Sequence, residues 1–185
     1  MAPISVAISA TKRFDSMIFR PAAIADLAAI VTIYNHYVVN DHATLDTQEH
    51  TVSDRNEWFA RFANGTAYQC WVGEDRAAEV VGYSVSTPFR RGSPYDGSVE
   101  TTIYLSPDVC GRGIGFELYQ RFFEVLNQVT HLHRAYAAVA QPNPAANALH
   151  QKLGFRAIGT QSEVGYKFER YWDLTWFERK LVSTD

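Results

Sequence analysis

Gly111, Gly113 and Gly115 stand at alternate positions between two runs of different periodicity. Before them, Val99 to Leu105 alternates in the manner of a β-strand and stops ahead of Pro107. After them, a stretch reaching about Val129 carries apolar residues at helical spacing. Strand, glycine turn and helix in that order leave backbone N–H groups unblocked at a helix N-terminus. Such a terminus favours an anionic group through its free donors and its dipole. Glycine matters there because a side chain would hold a ligand off the backbone. A carboxylate, Glu100, lies on the strand that leads in. A phosphate cradle beside a candidate general base predicts an enzyme that uses a phosphate-bearing cosubstrate.

Three loop types compete for these glycines. A dinucleotide fingerprint, G-x-G-x-x-G, fits Gly113 and Gly115 but meets Leu118 at its last position. A P-loop requires Gly-Lys followed by Ser or Thr, and the chain contains no Gly-Lys pair. The third type, Q/R-x-x-G-x-G/A, fits except at its first position, which is Cys110. Here Cys110-Gly111-Arg112-Gly113-Ile114-Gly115 resembles the pyrophosphate loop of the GNAT superfamily of N-acetyltransferases. Asn143-Pro-Ala-Ala-Asn147-Ala-Leu-His150-Gln-Lys-Leu-Gly154-Phe155 is similar to that superfamily's N-x-x-A-x-x-L-Y/H-x-x-L-G-F segment. Three further segments resemble the phosphinothricin N-acetyltransferase-like branch: Ile33 to Val38, Ser98 to Tyr104, and Gly165 to Asp173. The likeness runs from about Ile18 to about Leu181.

This resemblance implies acetyl-CoA as cosubstrate, held by the backbone of Gly111, Arg112, Gly113, Ile114 and Gly115. It implies transfer of the acetyl group to the amine of a small amino acid analogue, of phosphinothricin or methionine sulfoximine type, by direct attack on the thioester. The same chemistry on another small amine or a protein N-terminus stays open, as does a non-catalytic acyl-CoA-binding sensor. Such a transfer needs an amine stripped of a proton, a stabilised oxyanion and a stabilised thiolate. Glu100 is the candidate base, and burial among aromatics raises a carboxylate's affinity for protons. The bland alternative is a salt-bridged strand glutamate. His150 is the second catalytic candidate, as an imidazolium proton donor to the thiolate, or else a histidine that only packs. By resemblance the backbone of Leu105 serves the oxyanion. Asn143 resembles a pantetheine contact, and it equally fits a helix cap before Pro144.

An acceptor with a carboxylate and a phosphinate calls for cationic or amide donors. Arg90, Arg91 and Lys167 are candidates, although each also fits a solvated surface charge. Tyr34 and Tyr95 are candidate pocket walls, along with Tyr37, Phe89, Tyr104, Tyr166 and Trp172. The resemblance further implies a homodimer whose interface involves the loop from Asp41 to Thr47 and the segment Tyr166 to Asp173.

Composition bounds the rest. A chain of 185 residues with 46% apolar and 20% charged residues supports one globular domain with a full core. A formal net charge of −3 argues against a general nucleic-acid binder. No apolar run is long enough to span a membrane. Two cysteines, Cys70 and Cys110, make no disulfide scaffold and fit a reducing cytoplasm. The spacing of His36, His42, His50, His131 and His133 matches no metal motif, so no metal is expected. Residues 1–16 read as a tail without a signal peptide's apolar stretch, and 17–182 as the acetyltransferase domain.

The order of elements predicts α/β architecture, a mixed sheet in a single domain, and the resemblance implies the GNAT fold, a mostly antiparallel sheet flanked by helices. Helices are expected at about Ala25 to Asn40, with Tyr34 on the buried face, and at Ser53 to Phe62, with Ser53 as N-cap. Tyr68 to Glu74 and Val80 to Thr87 read as a hairpin. Arg134 to Ala140, Phe155 to Thr160 and Tyr166 to Phe177 read as the remaining strands.

Overall fold

The computed structural model describes residues 17–182; the expected tail at 1–16 lies outside the described residues. Seven strands form one sheet: β1 (Ile18–Pro21), β2 (Cys70–Glu74), β3 (Val80–Pro88), β4 (Ser98–Leu105), β5 (Arg134–Gln141), β6 (Arg156–Lys167) and β7 (Arg170–Lys180). Their spatial order is β1-β2-β3-β4-β5-β7-β6. All neighbours run antiparallel except β4 and β5, which are parallel and joined through α3 (Ile114–Leu126). The remaining helices are α1 (Leu27–Asn40), α2 (Val52–Phe59) and α4 (Pro144–Lys152).

Alternation along the strands sorts side chains onto two faces. Val99, Ala135, Ala137 and Phe177 meet the apolar stripe of α3, including Tyr119, Phe122 and Phe123. On the other face Val72, Tyr83 and Val85 pack against Ile30 and Ile33 of α1. Ile33 is fully in this core while Tyr34 is only half-buried, the reverse of the expected emphasis. Thr51, not Ser53, caps α2: its side chain accepts from the Asp54 N–H at 3.1 Å, and Asp54 reaches back to the Thr51 N–H at 2.9 Å. That reciprocal box satisfies two donors at once.

The expected strand Tyr166 to Phe177 is interrupted. Phe168 and Glu169 take φ of 51° and 58° and turn β6 into β7. Two consecutive left-handed residues make a tight hairpin turn, and that turn usually carries Asn or Gly. Phe-Glu gave no such cue.

The feature that positions the site is the β4–β5 pairing. Register pairs exist only for Ser98–Arg134, Val99–Ala135 and Glu100–Tyr136. Beyond Glu100 the two parallel strands part, although both continue for several residues. Backbone groups along the parted edges lose their ladder partners, an arrangement that needs another donor or acceptor to fill it.

Candidate active site

Where β4 and β5 part, a cavity of about 590 Å³ opens. Its walls are Thr101 to Leu105, Ala138 and Val139, the glycine turn, and α4 from Asn143 onward. Asp41, His42 and Ala43, from the loop after α1, close one side.

The Ser106 N–H donates to Val81 O at 2.8 Å, so Gly82 and Leu105 form a non-hydrogen-bonded pair of the β3–β4 ladder. The Leu105 N–H therefore points away from β3 and toward the gap. Ile103 faces the same way by alternation. The Tyr37 hydroxyl donates to Leu105 O at 2.7 Å and fixes the end of the strand. Burial pushes that phenol's pKa up, so it remains a donor.

At the mouth, none of the backbone N–H groups from Gly111 to Gly115 donates a hydrogen bond within the described residues. Gly111 and Gly113 hold φ of 74° and 86°, a region that side chains resist. A Cβ on Gly115 would stand 3.0 Å from Leu105 Cδ1, so the third glycine allows α3 to pack on the strand's end. Cys110 is exposed, with Sγ 3.8 Å from the Tyr37 hydroxyl.

Asn143 caps α4: its Oδ1 accepts from the Ala146 N–H at 3.0 Å, ahead of Pro144. This is the capping alternative, realised on the cavity wall.

His150 corrects the expectation of an imidazolium. It is buried against Tyr119, Phe155 and Phe177. Its Nδ1 lies 2.8 Å from Ala146 O, a carbonyl that can only accept, so Nδ1 carries the proton. Nε2 then holds a lone pair, buried and without a partner among the described residues. Burial lowers the pKa, against a smaller opposing effect from the Ala146 bond. A neutral imidazole with its one N–H already committed is no proton donor to a thiolate.

Glu100 sits at the vertex of the gap, on the face of Thr102 and Tyr104 and opposite Tyr136 on β5. It is half-buried, and its carboxylate has no ion-pair or hydrogen-bond partner among the described residues. Burial pushes its pKa up. The salt-bridged alternative does not match this geometry.

Lys167 is a second correction. Its Nζ donates to the carbonyls of Tyr37, Asp41 and Thr44 at 2.9, 2.6 and 2.8 Å. All three N–H bonds are used, and none remains for an acceptor. The ammonium instead straps the loop after α1 to the β6–β7 hairpin. Tyr34 likewise turns its hydroxyl to that loop, meeting Asp46 Oδ2 at 2.6 Å and Thr44 Oγ1 at 2.8 Å. Arg90, Arg91 and Tyr95 are exposed in the loop between β3 and β4, with the Arg90 guanidinium 5.4 Å from the Phe89 ring centre and 5.8 Å from that of Tyr95. Neither arginine makes an ion pair among the described residues. Among those residues no three His, Cys, Asp or Glu side chains gather as a metal site, and no helix is long and apolar enough to cross a membrane.

The family model described as the acetyltransferase (GNAT) domain matches residues 16–156. The chain belongs to the GNAT acetyltransferase family. A phosphinothricin N-acetyltransferase from Streptomyces coelicolor is 44% identical over 163 residues, covering 88% of this chain and 95% of that protein. An L-methionine sulfoximine/L-methionine sulfone acetyltransferase from Pseudomonas paraeruginosa is 36% identical over 166 residues, covering 89% and 95%. A crystal structure of a GNAT superfamily phosphinothricin acetyltransferase from Sinorhizobium meliloti, in complex with AcCoA, superposes with a TM-score of 0.84 at 30% identity, covering 90% of this chain and 89% of that one.

Within this GNAT acetyltransferase, sequence reasoning missed two cavity residues. His42, read only as part of a polar loop, stacks on Trp172 at 4.0 Å and brings Nε2 to 2.9 Å from Pro142 O. Lys152 places its ammonium 4.0 Å from the ring centre of Phe116, beside the glycine turn. Both contacts join distant segments, so no local spacing announces them.

Proposed function

We propose that this chain transfers an acetyl group from acetyl-CoA to the amine of a small amino acid analogue of the phosphinothricin or methionine sulfoximine type. The observation that carries the reading is the parting of β4 from β5 immediately after Glu100, with unused amides at its mouth. Acetyl-CoA supplies the acetyl thioester as a cosubstrate. Amides of Gly111 to Gly115 suit its diphosphate, and the parted strands suit its pantetheine arm beside Asn143. Glu100 takes one proton from the acceptor's ammonium, directly or through a water. The Leu105 N–H donates to the developing oxyanion. The second amine proton, lost as the amide forms, balances the departing thiolate, so His150 need not act as an acid. Arg90 and Arg91 offer cationic donors to the acceptor's carboxylate and phosphinate, with Tyr95 beside them. The exposed apolar side chains Val164, Tyr166, Phe168 and Tyr171 on the β6–β7 hairpin support a homodimer.

Thiol release followed with a panel of amines tests the function. Release with phosphinothricin or methionine sulfoximine is the expected result. Tight acetyl-CoA binding without release for any amine would turn the reading toward an acyl-CoA sensor, and release with peptides alone toward an N-terminal acetyltransferase. The cradle has its own test. Gly113→Val is expected to weaken CoA binding by more than about tenfold, or about 1.4 kcal/mol, because valine resists the φ of 86° and blocks the backbone. Titration calorimetry giving the parent affinity would exclude close backbone approach there.

A further inference from the structure

Leu105 is held from several directions at once. By alternation its side chain shares the α3 face of the sheet with Val99, Thr101 and Ile103. There its two methyls lie where two glycines lack a Cβ. A Cβ on Gly82, the β3 residue opposite, would stand 2.4 Å from Leu105 Cδ2 and 3.1 Å from Tyr104 O. The Gly115 seat, in the first turn of α3, takes the other methyl, Cδ1. The carbonyl of Leu105 accepts from the Tyr37 hydroxyl, and the next amide, Ser106 N–H, is bound to Val81 O. That leaves the N–H of Leu105, which faces the cleft.

A glycine inside a strand loses more conformational freedom on folding than other residues and packs no side chain, so it marks a close approach or a special conformation. Gly82 has no positive φ, so its backbone would suit any residue. The approach of Leu105 is what calls for glycine there. An added methyl at position 82 meets a leucine whose far side is closed by Gly115, with Tyr104 O also within 3.1 Å. The contact is relieved by displacing the end of β4, and the amide moves with it. A donor aimed at developing charge loses much of its value when it is displaced. We propose that Gly82 is a positioning residue: it seats Leu105 so that the N–H stands where the thioester oxygen gathers charge. Through Gly115 the same side chain ties that donor to the glycine turn. The proposal rests on the acetyltransferase reading above, in which this N–H serves the oxyanion.

The test moves a methyl from one side of the contact to the other. Gly82→Ala is expected to lower kcat by about ten- to a hundredfold, with the acetyl-CoA KM within about threefold of the parent. Combining it with Leu105→Val, which gives up the δ methyls, should bring kcat to within about threefold of Leu105→Val alone. The infrared band of the acetyl carbonyl in bound acetyl-CoA reads the same amide without turnover. In the parent it should lie at lower wavenumber than in free acetyl-CoA. It should move back toward the free value in Gly82→Ala and return in the double variant. If Gly82→Ala does not fold, Leu105→Ala, which empties both seats, carries the test with the same loss of kcat and the same movement of the band. A loss confined to the acetyl-CoA KM would mean that the leucine has swung into the cleft, and it overturns the assignment. So does a parent-like band in Gly82→Ala, or a double variant no better than Gly82→Ala. Failure of the parent to turn over any amine overturns the acetyltransferase reading, while the band still decides the role of Gly82.

Discussion

Glu100→Gln is expected to lower kcat by about two to four orders of magnitude, the range that a positioned general base supplies. The substitution keeps the shape of the side chain and removes only its ability to take a proton. The parent's kcat/KM should rise with pH through the ionisation of Glu100, at a midpoint above the ordinary carboxylate range because burial disfavours the charged form. The glutamine variant should lack that limb. Stability moves the other way. A carboxyl whose folded-state pKa is raised contributes stability below its unfolded pKa and loses it as pH rises through the folded value. At neutral pH the glutamine variant should therefore melt at or above the parent temperature. A variant with the parent's rate and pH profile would remove Glu100 from the chemistry.

Lys167→Met carries the largest expected loss of stability. It abolishes three charge-assisted hydrogen bonds and leaves the carbonyls of Tyr37, Asp41 and Thr44 without that donor. Bonds to a charged group contribute about 1.5–3 kcal/mol each, and the relieved desolvation of the ammonium offsets part of the sum. A net loss of about 3 kcal/mol corresponds to a fall in Tm of roughly 6–12 °C for a chain of this size. Lys167→Arg should not restore it, because a planar guanidinium does not match three converging carbonyls. Acceptor KM should rise as well, since the strapped loop supplies Asp41, His42 and Ala43 to the cavity wall. Calorimetric melting within about 2 °C of the parent, with unchanged KM, would reduce Lys167 to an incidental contact.

These two residues also mark what the chain discloses before it folds. Glu100 and the glycines sit in one contiguous stretch whose periodicity changes from two to about four, so their arrangement follows from local rules. Lys167 looked like an acceptor ligand because its partners are backbone carbonyls more than a hundred positions away, and carbonyls leave no mark in a sequence. His150 lay inside a recognisable segment, yet its tautomer depends on one carbonyl, that of Ala146, and its neutrality on three aromatic rings from elsewhere. The turn at Phe168 and Glu169 was hidden for a different reason: the hairpin is imposed by pairing along β6 and β7, against the preference of the residues at its tip.

With β4 and β5 meeting over just the pairs from Ser98 to Glu100, the sheet behaves mechanically as two plates sharing a short seam. Backbone bonds resist shear within each plate but hardly resist rotation about the seam. The width of the cleft is then governed by what bridges it from outside: α3 beneath, and the Lys167 tether with the His42–Pro142 contact above. Changes at those bridges are expected to alter the spacing between Glu100 and the α4 wall of the cleft without touching either.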